Sequence, residues 1–163
     1  MMLPVAVALA AILAISAAHK VLHRSRLGPA AARLAGVRPS WGDLLLMVAG
    51  ATEALAAAAL LTGRLRIGGA LTAAAVWSAY SLALQARRGA VIDCGCYFSE
   101  RPKPIDRVAI LRPAVLAVLA LAVAVAPASL WTIDTPFAAA GLLALWFAAG
   151  ELASIKTFPR NTQ

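Results

Sequence analysis

Five apolar runs dominate the sequence, each close to the ~20 residues that a helix needs to cross the hydrocarbon core of a bilayer. They cover Leu3–Ala18, Asp43–Leu61, Ile67–Ala86, Val108–Ala126 and Pro136–Leu152. Inside lipid the backbone must satisfy its own hydrogen bonds, so these segments are expected to be helices rather than strands. The chain is 62% hydrophobic and only 13% charged. A domain of 163 residues in water has too little polar cover for that much apolar surface. The expected fold class is all-α, an integral membrane helical bundle of about five transmembrane helices forming one domain over residues 1–163. The expected location is the cell membrane, as a multi-pass protein with the lipid bilayer as its first partner. Abundant Ala and Gly suit the close helix approach on which membrane bundles depend. Ser16-Ala17-Ala18 offers small residues for cleavage, but no positive stretch precedes the first run, which is read as a retained helix.

The net charge of +8 raises the question of nucleic acid, and the distribution of charge answers it. Nearly every Lys and Arg lies in a loop or at the end of an apolar run, where lipid headgroups and topology signals call for cations. No nucleic-acid partner is expected. With five spans, one face collects Lys20, Arg24, Arg26, Arg33, Arg38, Arg87, Arg88, Arg101, Lys103, Arg107, Lys156 and Arg160. Arg112 sits just inside that boundary, and the opposite face has only Arg64 and Arg66. The positive-inside rule puts the basic face in the cytoplasm. Between the first and second spans, His19–Trp41 interleaves arginines with Leu and Ala and reads as a short amphipathic helix on the interface.

The chain has two cysteines, in Asp93-Cys94-Gly95-Cys96-Tyr97-Phe98 after the third span. Cysteines at i and i+2 with Gly between can close a small disulfide ring, because Gly adopts the backbone that closure demands. So tight a ring is strained, and strained, exposed disulfides are the exchangeable ones. Arg87, Arg88 and Arg101 favour the reactive thiolate, while the neighbouring Asp93 opposes it. A metal site is the competing chemistry. Structural zinc wants four ligands, and only His19 and His23 would add to the two thiolates. Two thiolates alone suit Cu(I). No metal is expected.

Glu53 lies mid-way along the second span, where an ionisable group costs at least ~2.5 kcal/mol and is a functional candidate for that reason. A neutral Glu bonded to a neighbouring helix is the plainer alternative. Trp77, Ser78, Tyr80 and Ser81 lie toward the basic-face end of the third span, Arg112 near the start of the fourth and Lys20 at the end of the first. Residue counting places all of them in the basic-face half of the bundle, beside the Cys loop. That asymmetry suggests a cavity near Cys94 and Cys96 that an apolar electron carrier such as a quinone enters from the bilayer. Lys20, Glu53, Trp77, Tyr80 and Arg112 are its candidate binding residues.

At four places the sequence resembles the MauE/DoxX family of small membrane proteins, the MauE type being named for methylamine utilisation. These are His19-Lys20-Val21-Leu22, Thr52-Glu53-Ala54-Leu55, Leu61-Thr62-Gly63-Arg64 and Asp93-Cys94-Gly95-Cys96-Tyr97. The Asp-Cys-Gly-Cys-aromatic motif is the specific one and points to the MauE side. The resemblance implies a four-helix core akin to other membrane thiol oxidoreductases. It also implies disulfide formation or thiol transfer while a client enzyme matures, with a thioredoxin-like protein as partner. Tyr97-Phe98 departs from the family's usual Phe-Gly, and Arg112-Pro113 from its Arg-Asn. Family partners work outside the cytoplasm, whereas the charge bias puts the Cys loop inside; the two arguments point to opposite sides.

The leading reading is a membrane thiol–disulfide oxidoreductase in which Cys94 and Cys96 cycle between dithiol and disulfide. The rivals are a copper-type metal-handling membrane protein and a non-catalytic assembly factor for a partner enzyme. A transporter has little machinery here, because no inverted repeat or broken-helix pair is visible.

Overall fold

The computed structural model of the chain describes residues 2–90, 105–127 and 131–155. Its helices are α1 (Leu3–Leu22), α2 (Arg24–Ala35), α3 (Gly42–Leu61), α4 (Arg66–Ala86), α5 (Arg107–Val125) and α6 (Thr135–Ile155), with a short 3-10 turn at Pro39–Trp41 before α3. Five of them are long and apolar enough to cross a membrane, and no strand occurs among the described residues. The expected all-α membrane bundle is the observed one. Cys94, Cys96 and the rest of their motif lie outside the described residues.

Four of the helices close a ring. α1 packs on α3, α3 on α4, α4 on α5 and α5 back on α1; α2 lies against α3, and α6 against α1. Within the ring Leu9, Leu13, Leu60, Trp77, Leu116 and Val123 interlock among alanines from all four helices. The alanines matter because membrane helices associate by close packing rather than by escape from water. Large apolar side chains such as Leu55, Leu82, Val118 and Leu145 point outward instead, as a lipid-facing surface requires.

Helix α1 continues past the apolar run that ends at Ala18, as far as Leu22. It can do so because Lys20, in its last turn, finds an acidic partner inside the bundle. The amphipathic helix expected within His19–Trp41 is α2. It buries Leu27, Gly28, Ala30 and Ala32 while Arg24, Arg26 and Arg33 stay exposed. It stops at Gly36, whose φ of +74° is the left-handed conformation that ends many helices. Gly28 of α2 and Gly42 of α3 bring their backbones into contact, so that a Cβ on Gly42 would strike the Gly28 carbonyl.

Helix α5 opens on Asp106, whose Oδ1 accepts the Ala109 amide at 2.8 Å as an N-cap. It runs through Pro113, which removes one backbone donor from the helix. Ser81 of α4 donates to the Ile110 carbonyl at 3.1 Å one turn earlier, joining the two helices there. At the other end, buried Arg66 donates to the carbonyls of Ala126 at 2.6 Å and Pro127 at 3.4 Å. Arg66, grouped by sequence with the loop charges of the far face, is thus a cap on the C-terminal end of α5.

The two chain ends that flank residues 91–104 are pinned to each other. The Gly89 amide donates to the Ile105 carbonyl and the Ile105 amide to the Ala90 carbonyl, both at 3.0 Å. Gly89 has φ +83°, a conformation Gly adopts readily. Ile105 is buried among Ala30, Leu84 and Ala109, so the base of the Cys segment is seated on α2, α4 and α5 together.

Two adjacent glycines of α4 test the packing account. A Cβ on Gly69 would lie 2.6 Å from the Leu60 amide nitrogen, whereas one on Gly68 meets nothing within 4 Å. Gly69→Ala should lower the thermal midpoint in detergent, by an overpacking cost of about 1–3 kcal/mol. Gly68→Ala should leave it unchanged or raise it, since Ala outranks Gly in a helix by roughly 0.5–1 kcal/mol.

Candidate functional site

A carboxylate in the interior of a membrane bundle needs charge and hydrogen bonds supplied by its neighbours. Glu53, fully buried in α3, receives both. Lys20 Nζ of α1 lies 2.9 Å from Oε1 and 2.8 Å from Oε2, and Tyr80 of α4 donates its hydroxyl to Oε1 at 2.8 Å. Ser16, one turn before Lys20 on α1, accepts from the same ammonium at 2.7 Å. Three acceptors thus match the three N–H donors of Lys20. The ammonium also lies 5.3 Å from the centre of the Tyr80 ring, within the range at which a cation is attracted to an aromatic face. Glu53 is therefore matched by a cation as well as by a neutral neighbour.

Of the residues singled out by sequence, Lys20, Glu53 and Tyr80 come together in this network. Trp77 is one turn from Tyr80 on α4, but it is buried in the core of the helix ring. Arg112 faces α6, its guanidinium 5.6 Å from the centre of the Trp146 ring and packed against Gly150. A side chain on Gly150 would collide with that guanidinium. The His19 and His23 rings stand 4.5 Å apart. Among the described residues no three His, Cys, Asp or Glu side chains gather as metal ligands. Ser16, which the sequence offered only as part of a cleavage-like small-residue stretch, joins the network as well; its place four residues before Lys20 on one helix face was a usable sign.

Beside the network lies a cavity of about 310 Å³ between α2, α3 and α4, at the small end of the range for ligand pockets. Leu27, Ala30 and Leu34 of α2, Ala49 of α3 and Ala83 of α4 line it, and Lys20 and Tyr80 supply its polar wall. Ala30, Leu34 and Leu84 belong both to this lining and to the apolar cluster around Ile105. The cavity therefore adjoins the ion-pair network on one side and the base of the Cys segment on another.

The family model of the methylamine utilisation protein MauE matches residues 1–126. The chain belongs to the MauE family. No curated protein and no solved structure matches it. The matched stretch takes in α1 to α5, and with them the Lys20–Glu53–Tyr80 network and the cavity. Helix α6 lies beyond the stretch shared with the MauE family.

A buried ion pair is hard to break from one side. Lys20→Met or Glu53→Leu alone leaves an uncompensated charge and should cost about 3–5 kcal/mol. The double variant should lose less than the sum of the two, and a double-mutant cycle of thermal unfolding in detergent measures the difference.

Proposed function

We propose that this MauE-family chain is a membrane thiol–disulfide oxidoreductase, with Cys94 and Cys96 as the exchanging pair. Its family ties it to methylamine utilisation, and the client in this reading is methylamine dehydrogenase during its maturation. The observation that carries the proposal is the anchoring of the Cys segment. Its two ends are hydrogen-bonded to each other and seated on three helices, at the end of the bundle that also holds the buried ion pair. Such a base would tether the residues that carry Cys94 and Cys96 to the helix bundle, as an exchanger needs.

Exchange proceeds by thiolate attack on a disulfide sulfur. In the oxidising direction a client thiolate attacks the Cys94–Cys96 disulfide, breaking that S–S bond and forming a mixed disulfide. A second client thiolate then attacks the mixed disulfide and leaves as a client disulfide. The chain is left as the dithiol, having taken up two electrons and two protons. A thioredoxin-like partner would pass electrons by the same chemistry. Arg87 and Arg88, exposed beside the base of the loop, favour the thiolate form of an approaching thiol.

A lipid-soluble quinone would supply the two-electron acceptor that restores the disulfide. The donor set fits such a group: an apolar, alanine-lined cavity with a phenol and an ammonium in one wall. Glu53 has no access to solvent, so it serves that cavity only through Lys20 and Tyr80. Tyr80 Oη, bonded to Glu53 Oε1, is the group that can move a proton between the buried carboxylate and the cavity.

Changing both cysteines to serine should abolish maturation of the client in cells while leaving the protein in the membrane at normal level. A serine double variant that still supports full client maturation would leave only the assembly-factor role. In the native protein, a membrane-impermeant maleimide should label the pair after reduction and not before. The side of the membrane on which it labels also decides between the charge bias and the family precedent.

A further inference from the structure

The cavity can be assigned more closely than the polar inventory of the bundle allows. Lys20 and Tyr80 line it, while Trp77 and Arg112 do not: one is locked in the helix ring and the other is turned toward α6. Its remaining wall is almost wholly Ala and Leu. α2 forms one side, held in place by the glycine contact with α3 and by Arg87, just past the end of α4, which packs over Gly36 at the end of α2.

We propose that this space between α2, α3 and α4 is the binding site for the ring of a lipid-soluble quinone, with Tyr80 as the residue that contacts its oxygen. The assignment rests on the oxidoreductase reading above for its purpose, though not for its geometry. Three features select this occupant over a plain acyl chain. The volume of about 310 Å³ accommodates a small ring system. The wall presents a phenol that is already part of a charged network, which an alkyl chain has no means to use. The lining is also shared with the apolar seat of Ile105, so an electron acceptor held here lies against the base of the segment that carries Cys94 and Cys96.

The overall step balances. The two S–H bonds of the Cys94–Cys96 dithiol break and one S–S bond forms. Two electrons and two protons pass to the quinone, which leaves as the hydroquinone. Lys20 already spends its three N–H donors on Ser16 and Glu53. Tyr80 likewise spends its one O–H on Glu53 Oε1. It therefore meets a quinone oxygen by turning that O–H from Glu53 toward the cavity, while Lys20 keeps both Glu53 oxygens paired and is placed behind to restore the proton. Tyr80 thus both orients the ligand and links it to the buried pair.

The test is equilibrium binding of decylubiquinone to the purified full chain in detergent, alongside thiol exchange of Cys94 and Cys96 with dithiothreitol. Ala49→Leu combined with Ala83→Leu fills the cavity and should weaken decylubiquinone binding at least about tenfold, which corresponds to ~1.4 kcal/mol. Tyr80→Phe, a milder change, should also weaken it. Ala75→Leu, on the exposed side of α4 and outside the cavity lining, should bind like the native protein. Ala75→Leu should also keep exchange with dithiothreitol at the native rate. Unchanged affinity in both the filled variant and Tyr80→Phe would overturn the assignment, and so would equal competition by dodecanol, which has the chain without the ring. If binding follows the expected pattern but the native cysteines fail to exchange, the cavity assignment stands and the oxidoreductase reading falls.

Discussion

The Lys20–Glu53 ion pair is the interaction on which the rest of the bundle's arrangement depends. A carboxylate in the interior of a membrane protein has to find its charge partner and hydrogen bonds within the protein. Here they come from two other helices, α1 and α4, at 2.8–2.9 Å. Three of the four ring helices are therefore tied to one another by one polar contact, in a core that is otherwise mostly Ala and Leu. That contact also lets α1 run on to Leu22 with a lysine in its last turn. It turns Tyr80 toward the space under α2, and so makes one wall of an otherwise apolar cavity chemically distinct.

The two ends of the bundle are built for different purposes. At the far end the buried Arg66 caps α5, and the contact is structural. At the basic end, α2 lies across α3 on paired glycines, the Ile105 bridge closes the base of the Cys segment, and the ion pair and cavity lie alongside. Polar groups are costly in this environment, so their concentration at one end marks where chemistry is expected. Helix α6 stands outside the stretch shared with the MauE family and is held through α1 and through the stacking of Arg112 on Trp146. Arg112 consequently joins the polar end of the bundle to the added helix rather than to the cavity.

Much of this was legible in the sequence, for identifiable reasons. The spans could be read because twenty apolar residues have few alternatives to a membrane helix, and the arginine spacing of His19–Trp41 marked α2. Glu53 drew notice because a charge in a span is expensive. Counting residues along the helices put Lys20 and Tyr80 at a similar depth, yet depth says nothing of rotation, and so Trp77 and Arg112 could not be told apart from them. The chain extension of α1 was missed because Lys20 looks like a stop until its partner 33 residues away is known. Arg66 passed for a loop charge for the same reason: its acceptors lie some 60 residues further on. The bridge at Gly89, Ala90 and Ile105 involves only backbone atoms, which leave no trace in side-chain patterning. The family resemblance was carried by short motifs around Lys20, Glu53 and the cysteines, two of which the structure joins directly.

The central claim is that this scaffold exists to hold a cysteine pair that changes redox state. The most direct measurement is an equilibrium redox titration of Cys94 and Cys96 in the membrane-embedded native protein. The chain would be poised in glutathione buffers of graded potential and read by the gel shift of a thiol-reactive label. The account predicts a single two-electron transition in which both cysteines lose and regain reactivity together. A pair that stays fully reduced and labelled across the whole oxidising range would contradict it.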